Sequence, residues 1–560
     1  MIRFEQVTVR YPGADHDTLH QVDLHVEEGE LTLVVGATGS GKSTLLGCVN
    51  GLVPHFTGGP LTGQVLVDGR DTRTHRPRDL AEVVGIVRQD PVSGFVTDTV
   101  EEELAYSLEM LGADATTMRR RVEETLDVLG LVEVRGRTLT SLSGGQQQRV
   151  AIGAVLVAQP RILVLDEPTS ALDPVAAEEV LSTLTRLVHD LGLTVLLAEH
   201  RLERVVQYAD RVATIVGGRV TANDPADAML TSPVTPPVVD LGLLAGWRPL
   251  PLSVRDARRA ARDLRERLRD ITPQPVLPPS GNGVPVDREP AGDRARRRRP
   301  SAGTRPEPLA TVRNLVVRRG TTTALCGLDL VLHPGEVVAL MGRNGAGKST
   351  LLATLAGQLR PTSGRVLLGP DVVPHRSVPR QLVRQVGLVP QDPTVLLYGE
   401  TVAQECRDAD RDLEAPAGTT RRLLADLAPE VDEAAHPRDL SEGQRLALAV
   451  SIVLAGSPPL LLLDEPTRGL DYGAKRRLVA HLRALVDAGH GVVVATHDVE
   501  LAAEVADRAV VIADGQVVAD GPAPDVLAAS PAFAPQIAKV MHPQPWLTVR
   551  QLAAALERAS

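Results

Sequence analysis

Lysine is almost missing from this sequence. Lys42, Lys348, Lys475 and Lys539 are its only lysines, and arginine supplies the rest of the 60 basic residues. Aromatic residues are scarce too, at 2%, so the core must rest on Val, Leu, Ile and Ala. The three cysteines, Cys48, Cys326 and Cys406, lie far apart. They exclude a zinc cluster and a disulfide framework, and are expected as reduced thiols serving as small apolar filler. The longest apolar runs, such as Leu460 to Leu463 and Val492 to Ala495, have the length of a strand. None can cross a bilayer, and the start, Met1-Ile2-Arg3-Phe4-Glu5, lacks the pattern of a signal peptide. Any membrane role is therefore expected to run through a partner. A basic surface is lacking as well: the net charge is −10, and no nucleic-acid partner is expected.

The lysines that are present mark the chemistry. Gly36-Ala37-Thr38-Gly39-Ser40-Gly41-Lys42-Ser43-Thr44 follows the apolar run Leu31 to Val35 and precedes Leu45-Leu46-Gly47-Cys48-Val49. A buried strand, a glycine-rich loop and a helix start make a phosphate-binding loop. Its glycines let backbone N–H groups surround phosphate oxygens, and the helix N-terminus adds partial positive charge. Lys42 is placed to reach the β- and γ-phosphates, and the Ser43 hydroxyl to ligate Mg²⁺. The pattern returns at Gly342-Arg343-Asn344-Gly345-Ala346-Gly347-Lys348-Ser349-Thr350 after Val337 to Leu340. A compact ammonium fits inside such a loop where a planar guanidinium does not.

The loops belong to a repeat with a period of about 300 residues, which points to duplicated domains. Strands are expected over Phe4 to Tyr11 and Leu309 to Val317, each followed by a Gly-Glu turn, Gly29-Glu30 and Gly335-Glu336. Later pairs are Gln89-Asp90-Pro91 with Gln391-Asp392-Pro393, and Thr99 to Glu103 with Thr401 to Glu405. Apolar spacing at Val122, Leu126 and Leu129 reads as a helix over Met118 to Leu129. Leu142-Ser143-Gly144-Gly145-Gln146 and Leu440-Ser441-Glu442-Gly443-Gln444 open helices expected over Gln147 to Val157 and Arg445 to Leu454. Strands ending in Asp166-Glu167 and Asp464-Glu465 lead to Leu172-Asp173 and Leu470-Asp471. The last shared strands end at His200 and His497. Alternating strands and helices imply an α/β fold with a largely parallel sheet covered on both faces.

Each half closes with a short helix. One has its apolar stripe at Val254, Ala257, Ala261, Leu264 and Leu268, the other at Val549, Leu552, Leu556 and Ala559. Ser253 and Thr548 are the expected N-caps, and the stripes read as docking faces. Residues 272–308, rich in Pro, Gly and Arg, read as a disordered linker. Its run Arg296 to Arg299 reads as a solvated linker segment or as a contact with anionic lipid or RNA. The expected domains are 1–235 and 309–530, with modules at 236–271 and 531–560.

This series resembles that of the ABC ATPases, in both halves and over nearly the whole chain. The resemblance implies two P-loop ABC ATPase domains, each with a mainly parallel sheet, an antiparallel β subdomain and a helical subdomain. It implies ATP and Mg²⁺ as ligands. Asp166 and Asp464 resemble the Mg²⁺-holding carboxylates. Glu167 and Glu465 resemble the base for the attacking water, or serve as a further Mg²⁺ ligand. Gln89 and Gln391 would sense Mg²⁺ and the γ-phosphate, and His200 and His497 would hydrogen-bond that phosphate. The L-S-x-G-Q segment of each half is implied to complete the site of the other. Ser143, Gly144, Gly145 and Gln146 would thus serve the second half's loop, and Ser441, Gly443 and Gln444 the first's, with the two halves pairing within one chain. Tyr11 stands where family members stack an aromatic on adenine; Arg319 stands there in the second half. Glu442, a carboxylate where the first half has Gly144, implies a slower first site if it faces phosphate.

Among ABC proteins three readings compete: an importer subunit, a soluble tandem ATPase acting on ribosomes, and a DNA-repair ATPase. The last needs cysteine clusters that are absent. Val49-Asn50-Gly51-Leu52-Val53-Pro54-His55, Phe95 to Leu104 and Glu199-His200-Arg201-Leu202-Glu203 are similar to the ATPases of energy-coupling factor importers. That likeness implies a transmembrane scaffold subunit and a substrate-binding membrane subunit as partners, at the cytoplasmic face of the membrane. The cargo would be a vitamin, a vitamin precursor or a metal ion. The segments Asp90 to Glu109 and Asp392 to Arg407 are the expected docking grooves, with Glu101-Glu102-Glu103 a place to test them by charge reversal.

Overall fold

A computed structural model describes residues 1–273 and 307–559, apart from Gly58, Ala171, Thr321, Arg468, Asp471 and Ala532. Most of the expected linker, its arginine run included, and Asp471 lie outside the described residues. The chain divides into two compact units, Met1–Arg267 and Leu268–Ser560.

In unit 1 the phosphate-loop strand Leu31–Val35 lies inside a six-stranded sheet. The order is Arg219–Asn223, Arg211–Val216, Leu31–Val35, Thr194–Ala198, Ile162–Asp166, Val84–Val87. All pairs are parallel except the edge strand Arg219–Asn223. The central strands are buried and largely apolar, as a sheet buried on both faces requires. Their register sets Asp166 beside Ala198, so the loops after these strands emerge at one edge, where open α/β sheets bind ligands. A four-stranded antiparallel sheet carries Leu19–Val26, Ile2–Val9, Leu61–Val67 and Arg70–Asp71. Its Phe4, Val7 and Val9 share a core with Val34 of the main sheet and with Leu45 and Leu46 of the helix after the phosphate loop.

Unit 2 repeats the plan. Its sheet runs Val386–Val389, Leu460–Asp464, Gly491–Ala495, Val337–Met341, Arg508–Ala513, Gln516–Pro522. Asp464 again lies beside a strand-end alanine, Ala495. A three-stranded antiparallel sheet holds Thr322–Leu332, Ala310–Arg319 and Ser363–Leu368. The α/β class and the parallel sheets match the sequence reading.

Three details differ from it. The signature helices begin earlier than their apolar spacing indicated, at Gly144 and Glu442. Serine and glutamine close capping boxes there, which makes the glycine or glutamate the first helical residue. The helix expected from Val254 breaks at Ala261, giving Val254–Ala260 and Arg262–Arg267. Its stripe is not an open docking face, because Ala257, Ala261, Leu264 and Leu268 are all buried. In the C-terminal helix Val549–Ala559, Leu552 and Ala555 are the buried positions. Ser253 and Thr548 cap as expected, accepting from Asp256 N and Gln551 N at 3.1 and 3.3 Å.

Candidate functional site

Each phosphate loop wraps a buried lysine. Lys42 Nζ donates to the carbonyls of Gly36 and Ala37 at 2.9 and 3.1 Å. Lys348 Nζ donates to those of Gly342 and Arg343 at 2.7 and 3.2 Å. The loops hold these carbonyls around the ammonium because their glycines accept unusual backbone. Gly41 has φ +104°, and a Cβ there would lie 2.9 Å from the Thr18 carbonyl oxygen. Gly36, Gly39, Gly342, Gly345 and Gly347 complete the two loops as expected. Thr44, in the helix Lys42–Val49, meets Tyr11, whose hydroxyl lies 3.1 Å from Thr44 Oγ1. This anchors the expected adenine-stacking ring beside the loop. Thr350 is the corresponding buried threonine, and Arg319 ends the first strand of its unit.

The strand-end carboxylates stand next to the loops. Asp166 takes a hydrogen bond from the Ser43 side chain, and Asp464 one from Ser349. Burial nevertheless holds both carboxyls above their ordinary range, because the charged form lacks solvent. Asp464 Oδ1 is buried without a hydrogen-bond partner among the described residues. A hydroxyl and a carboxylate with spare oxygen acceptors are hard donors of the kind Mg²⁺ takes alongside phosphate oxygens and water. The residues present therefore fit that ion.

Glu167 and Glu465 follow directly, both at φ +50°. Left-handed backbone at a glutamate is strained, and such strain collects at working sites. The two carboxylates are wired differently. Glu167 Oε1 lies 2.7 Å from His200 Nε2, and its Oε2 accepts from Gln89 Nε2 at 3.0 Å. Glu465 Oε2 lies 2.8 Å from His497 Nδ1 and accepts from the His497 N–H at 3.3 Å and the Thr496 hydroxyl at 3.4 Å. Its Oε1 is 3.9 Å from Lys348 Nζ. Gln391 is exposed. The structure thus gathers Lys42, Ser43, Gln89, Asp166, Glu167 and His200 at one sheet edge, and Lys348, Ser349, Asp464, Glu465 and His497 at the other.

The signature segments are engaged with their own units. Ser143 Oγ accepts from Gln146 N at 3.3 Å, while Gln146 Oε1 accepts from Ser143 N at 3.0 Å. Ser441 and Gln444 repeat this at 3.3 and 2.9 Å. Gly145 has a packing reason to be glycine: a Cβ there would come within 2.8 Å of Ala176 Cβ. A Cβ on Gly443 would lie 3.0 Å from Leu470, whereas one on Gly144 would make only an ordinary contact with Leu172 at 3.5 Å. Glu442 does not extend freely, since its side chain lies against Gly469 of its own unit.

Three residues around the sites escaped the motif series. Glu199, 1% exposed, accepts from Thr169 N and Oγ1 at 2.8 and 2.6 Å and from His200 N at 3.1 Å. Lys475 donates to the buried Asp498, beside His497, at 2.6 Å. A signal existed for two of them. Glu199 breaks the match between the halves, where Thr496 stands, and Lys475 is one of only four lysines.

In the first expected docking segment the three glutamates are engaged within their own unit. Glu103 is buried and accepts from Val96 N, Thr97 N and Thr97 Oγ1 at 3.0, 2.9 and 2.9 Å. Glu102 closes a capping box with Thr99, and Glu101 pairs with Arg135 at 2.8 Å. Charge reversal across these three would break the segment itself instead of probing a groove. Exposed apolar residues nearby include Val92 and Val96, the latter 61% exposed, and in unit 2 Val395 and Tyr398, the latter 86% exposed.

A family model described as ABC transporter matches residues 19–170 and 325–468. A Streptomyces coelicolor protein described as an ABC transporter ATP-binding protein is 61% identical over 99% of this chain and 100% of its own length. One from Methanosarcina mazei with the same description is 36% identical, over 94% and 90%. Among solved structures, ribosome-bound archaeal Pelota and ABCE1 gives a TM-score of 0.60 at 21% identity, over 94% of this chain and 82% of that one. Ribosome recycling factor aABCE1 with the stalk protein aP1 gives 0.57 at 22%, over 93% and 91%. At that identity the likeness is one of fold.

Proposed function

The chain belongs to the ABC transporter family, and on that premise we propose that its two ATPase units energise a membrane importer of the energy-coupling factor type. Its full-length relatives are described as ABC transporter ATP-binding proteins, and no helix among the described residues is long and apolar enough to cross a membrane. The proposed partners are a transmembrane scaffold and a substrate-binding membrane subunit, and the proposed place is the cytoplasmic face of the membrane. The cargo is a vitamin, a vitamin precursor or a metal ion.

In the proposed mechanism Lys42 and Lys348 bind the β- and γ-phosphates. Ser43 with Asp166, and Ser349 with Asp464, hold Mg²⁺, which neutralises phosphate charge when bound. Glu167 and Glu465 take the proton of the attacking water. His200 and His497, each within 2.8 Å of its glutamate, orient that carboxylate and meet the γ-phosphate. Gln89, bonded to Glu167, links the first base to the segment that follows, which is the proposed scaffold contact. The signature residues Ser143 to Gln146 and Ser441 to Gln444 complete the facing sites.

The observation that carries the importer reading is the pair of exposed apolar residues just past the glutamines, Val96 and Tyr398. They fit a partner helix better than water. Full-length protein is to be purified from membranes as wild type and as Val96→Asp with Tyr398→Asp. Wild type is expected to bring integral membrane proteins with it, and the variant to lose them while still binding ATP. Ribosomal subunits in place of membrane proteins would make this a translation ATPase.

A further inference from the structure

The loop that follows each glutamate base is braced in both units, but from opposite sides. In unit 1 the brace is Glu199, which receives both the N–H and the hydroxyl of Thr169, two residues past Glu167. Unit 2 has Thr496 at the place of Glu199. There the hydroxyl of Thr467, the counterpart of Thr169, is buried without a hydrogen-bond partner among the described residues. The contact from the histidine side is gone.

A glutamate meets that loop from the signature side. A Cβ built on Gly469 would lie 2.2 Å from Glu442 Oε2, 2.6 Å from its Cδ and 2.9 Å from its Cβ. No side chain tolerates such distances, so the Glu442 carboxylate occupies the volume that any larger residue at 469 would need. The sequence shows the exchange. Unit 1 has Gly144 and Ala171 at these two positions, whereas unit 2 has Glu442 and Gly469. Bulk has moved from the loop to the first helical residue of the signature. Gly469 also has φ +66°, which by itself favours glycine, so the contact with Glu442 is carried by the distances and not by the residue type.

We propose that Glu442 is a positioning residue that fastens the N-terminal turn of the Glu442–Ala455 helix to the loop following Glu465. The signature segment of unit 2 and the base of the same unit then shift together, whereas in unit 1 the corresponding loop is tied to the histidine. This rests on the reading of Glu465 as a base. Well-packed contacts of this kind transmit displacement because they have no slack.

The test uses the full chain carrying Glu167→Gln, in which the remaining hydrolysis comes from the Glu465 site. Steady-state kcat and KM are measured after adding Glu442→Gly, Gly469→Ala, both together, or Glu442→Gln. Gly469→Ala is expected to lower kcat about tenfold with little change in KM, because the methyl displaces the carboxylate and strains the left-handed backbone there, and only the first part is relieved by removing Glu442. Adding Glu442→Gly to it recreates the pairing of unit 1 and should recover at least about threefold. Glu442→Gln keeps the shape and should stay within about threefold of its background. If the effects of Gly469→Ala and Glu442→Gly simply multiply, the proposal fails. It fails too if Glu442→Gly leaves kcat unaltered here but raises it in a Glu465→Gln chain, since the carboxylate then acts on the phosphate it faces. Should Gly469→Ala not fold, the Glu442 variants in the two backgrounds decide. Undiminished hydrolysis by the Glu167→Gln, Glu465→Gln chain would instead overturn the base assignment.

Discussion

Units 1 and 2 carry the same series of motifs on strands of the same order and register, yet the neighbourhood of the base is wired differently in each. Glu167 shares its oxygens between His200 and Gln89, which comes from a different strand end. Glu465 is held by His497 and by the Thr496 hydroxyl and His497 N–H behind it. In unit 1 the N–H of the histidine is bound by Glu199 instead. The motif residues are therefore equal while their supports are not. A duplicated site can diverge through the residues that hold its catalytic groups, because those supports are exchanged without altering the groups that touch substrate.

This contrast can be broken at its strongest point, the ion pair that only unit 2 has. Ala177 stands in unit 1 at the place of Lys475, and Arg201 at that of Asp498. Lys475→Ala leaves Asp498, which is 2% exposed, as a buried carboxylate without its cation. The expected cost is about 3 kcal/mol, the low end for breaking such a pair, since Lys475 keeps some contact with water. Denaturant unfolding would show it as a destabilised transition of unit 2. An unaltered midpoint for Lys475→Ala would mean the pair contributes nothing.

A smaller difference separates Glu103 from Glu405. Both are buried at the start of the helix that follows the glutamine segment. Glu103 receives three hydrogen bonds from Val96 and Thr97, while Glu405 accepts the Gly399 N–H. Alanine at 103 should cost about 2 kcal/mol and alanine at 405 about 1 kcal/mol, because each leaves part-buried donors unmet, three in the first case and one in the second. Thermal melting of the two variants orders them, and the reverse order would refute this count.

The smallest effect concerns pH. Burial raises the Glu199 carboxyl above its ordinary value of 4.5. The folded chain then holds that proton more tightly than the unfolded chain, so stability falls as pH rises from about 4.5 toward the folded value. Glu199→Gln lacks this titration. Its melting temperature should therefore decline less than that of wild type over that window, even if it starts lower because the amide cannot accept every bond. Parallel declines would show that Glu199 titrates normally.

Much of the architecture was legible beforehand. Apolar runs such as Leu460 to Leu463 can only be doubly buried strands, and two glycine-rich loops ending in Gly-Lys-Ser-Thr fix where phosphate goes. Harder to read were local exchanges such as Glu442 over Gly469, since the packing of that carboxylate on its own unit leaves no pattern in the sequence. The carboxylates Glu101 to Glu103 looked like one acidic patch, yet each has a separate partner, because helical geometry turns successive side chains through about 100°.

By itself the sequence determined the two-unit plan, the strand ends that carry Asp166, Glu167, Asp464 and Glu465, and the lysines inside the phosphate loops. Periodicity and spacing are local properties, and they survive without knowledge of what packs against what. Only the tertiary structure decided which support each base received. That choice depends on contacts between residues distant in sequence, such as Glu199 with Thr169 and Glu442 with Gly469. A side chain's reach and the volume left beside it exist only once the chain has folded.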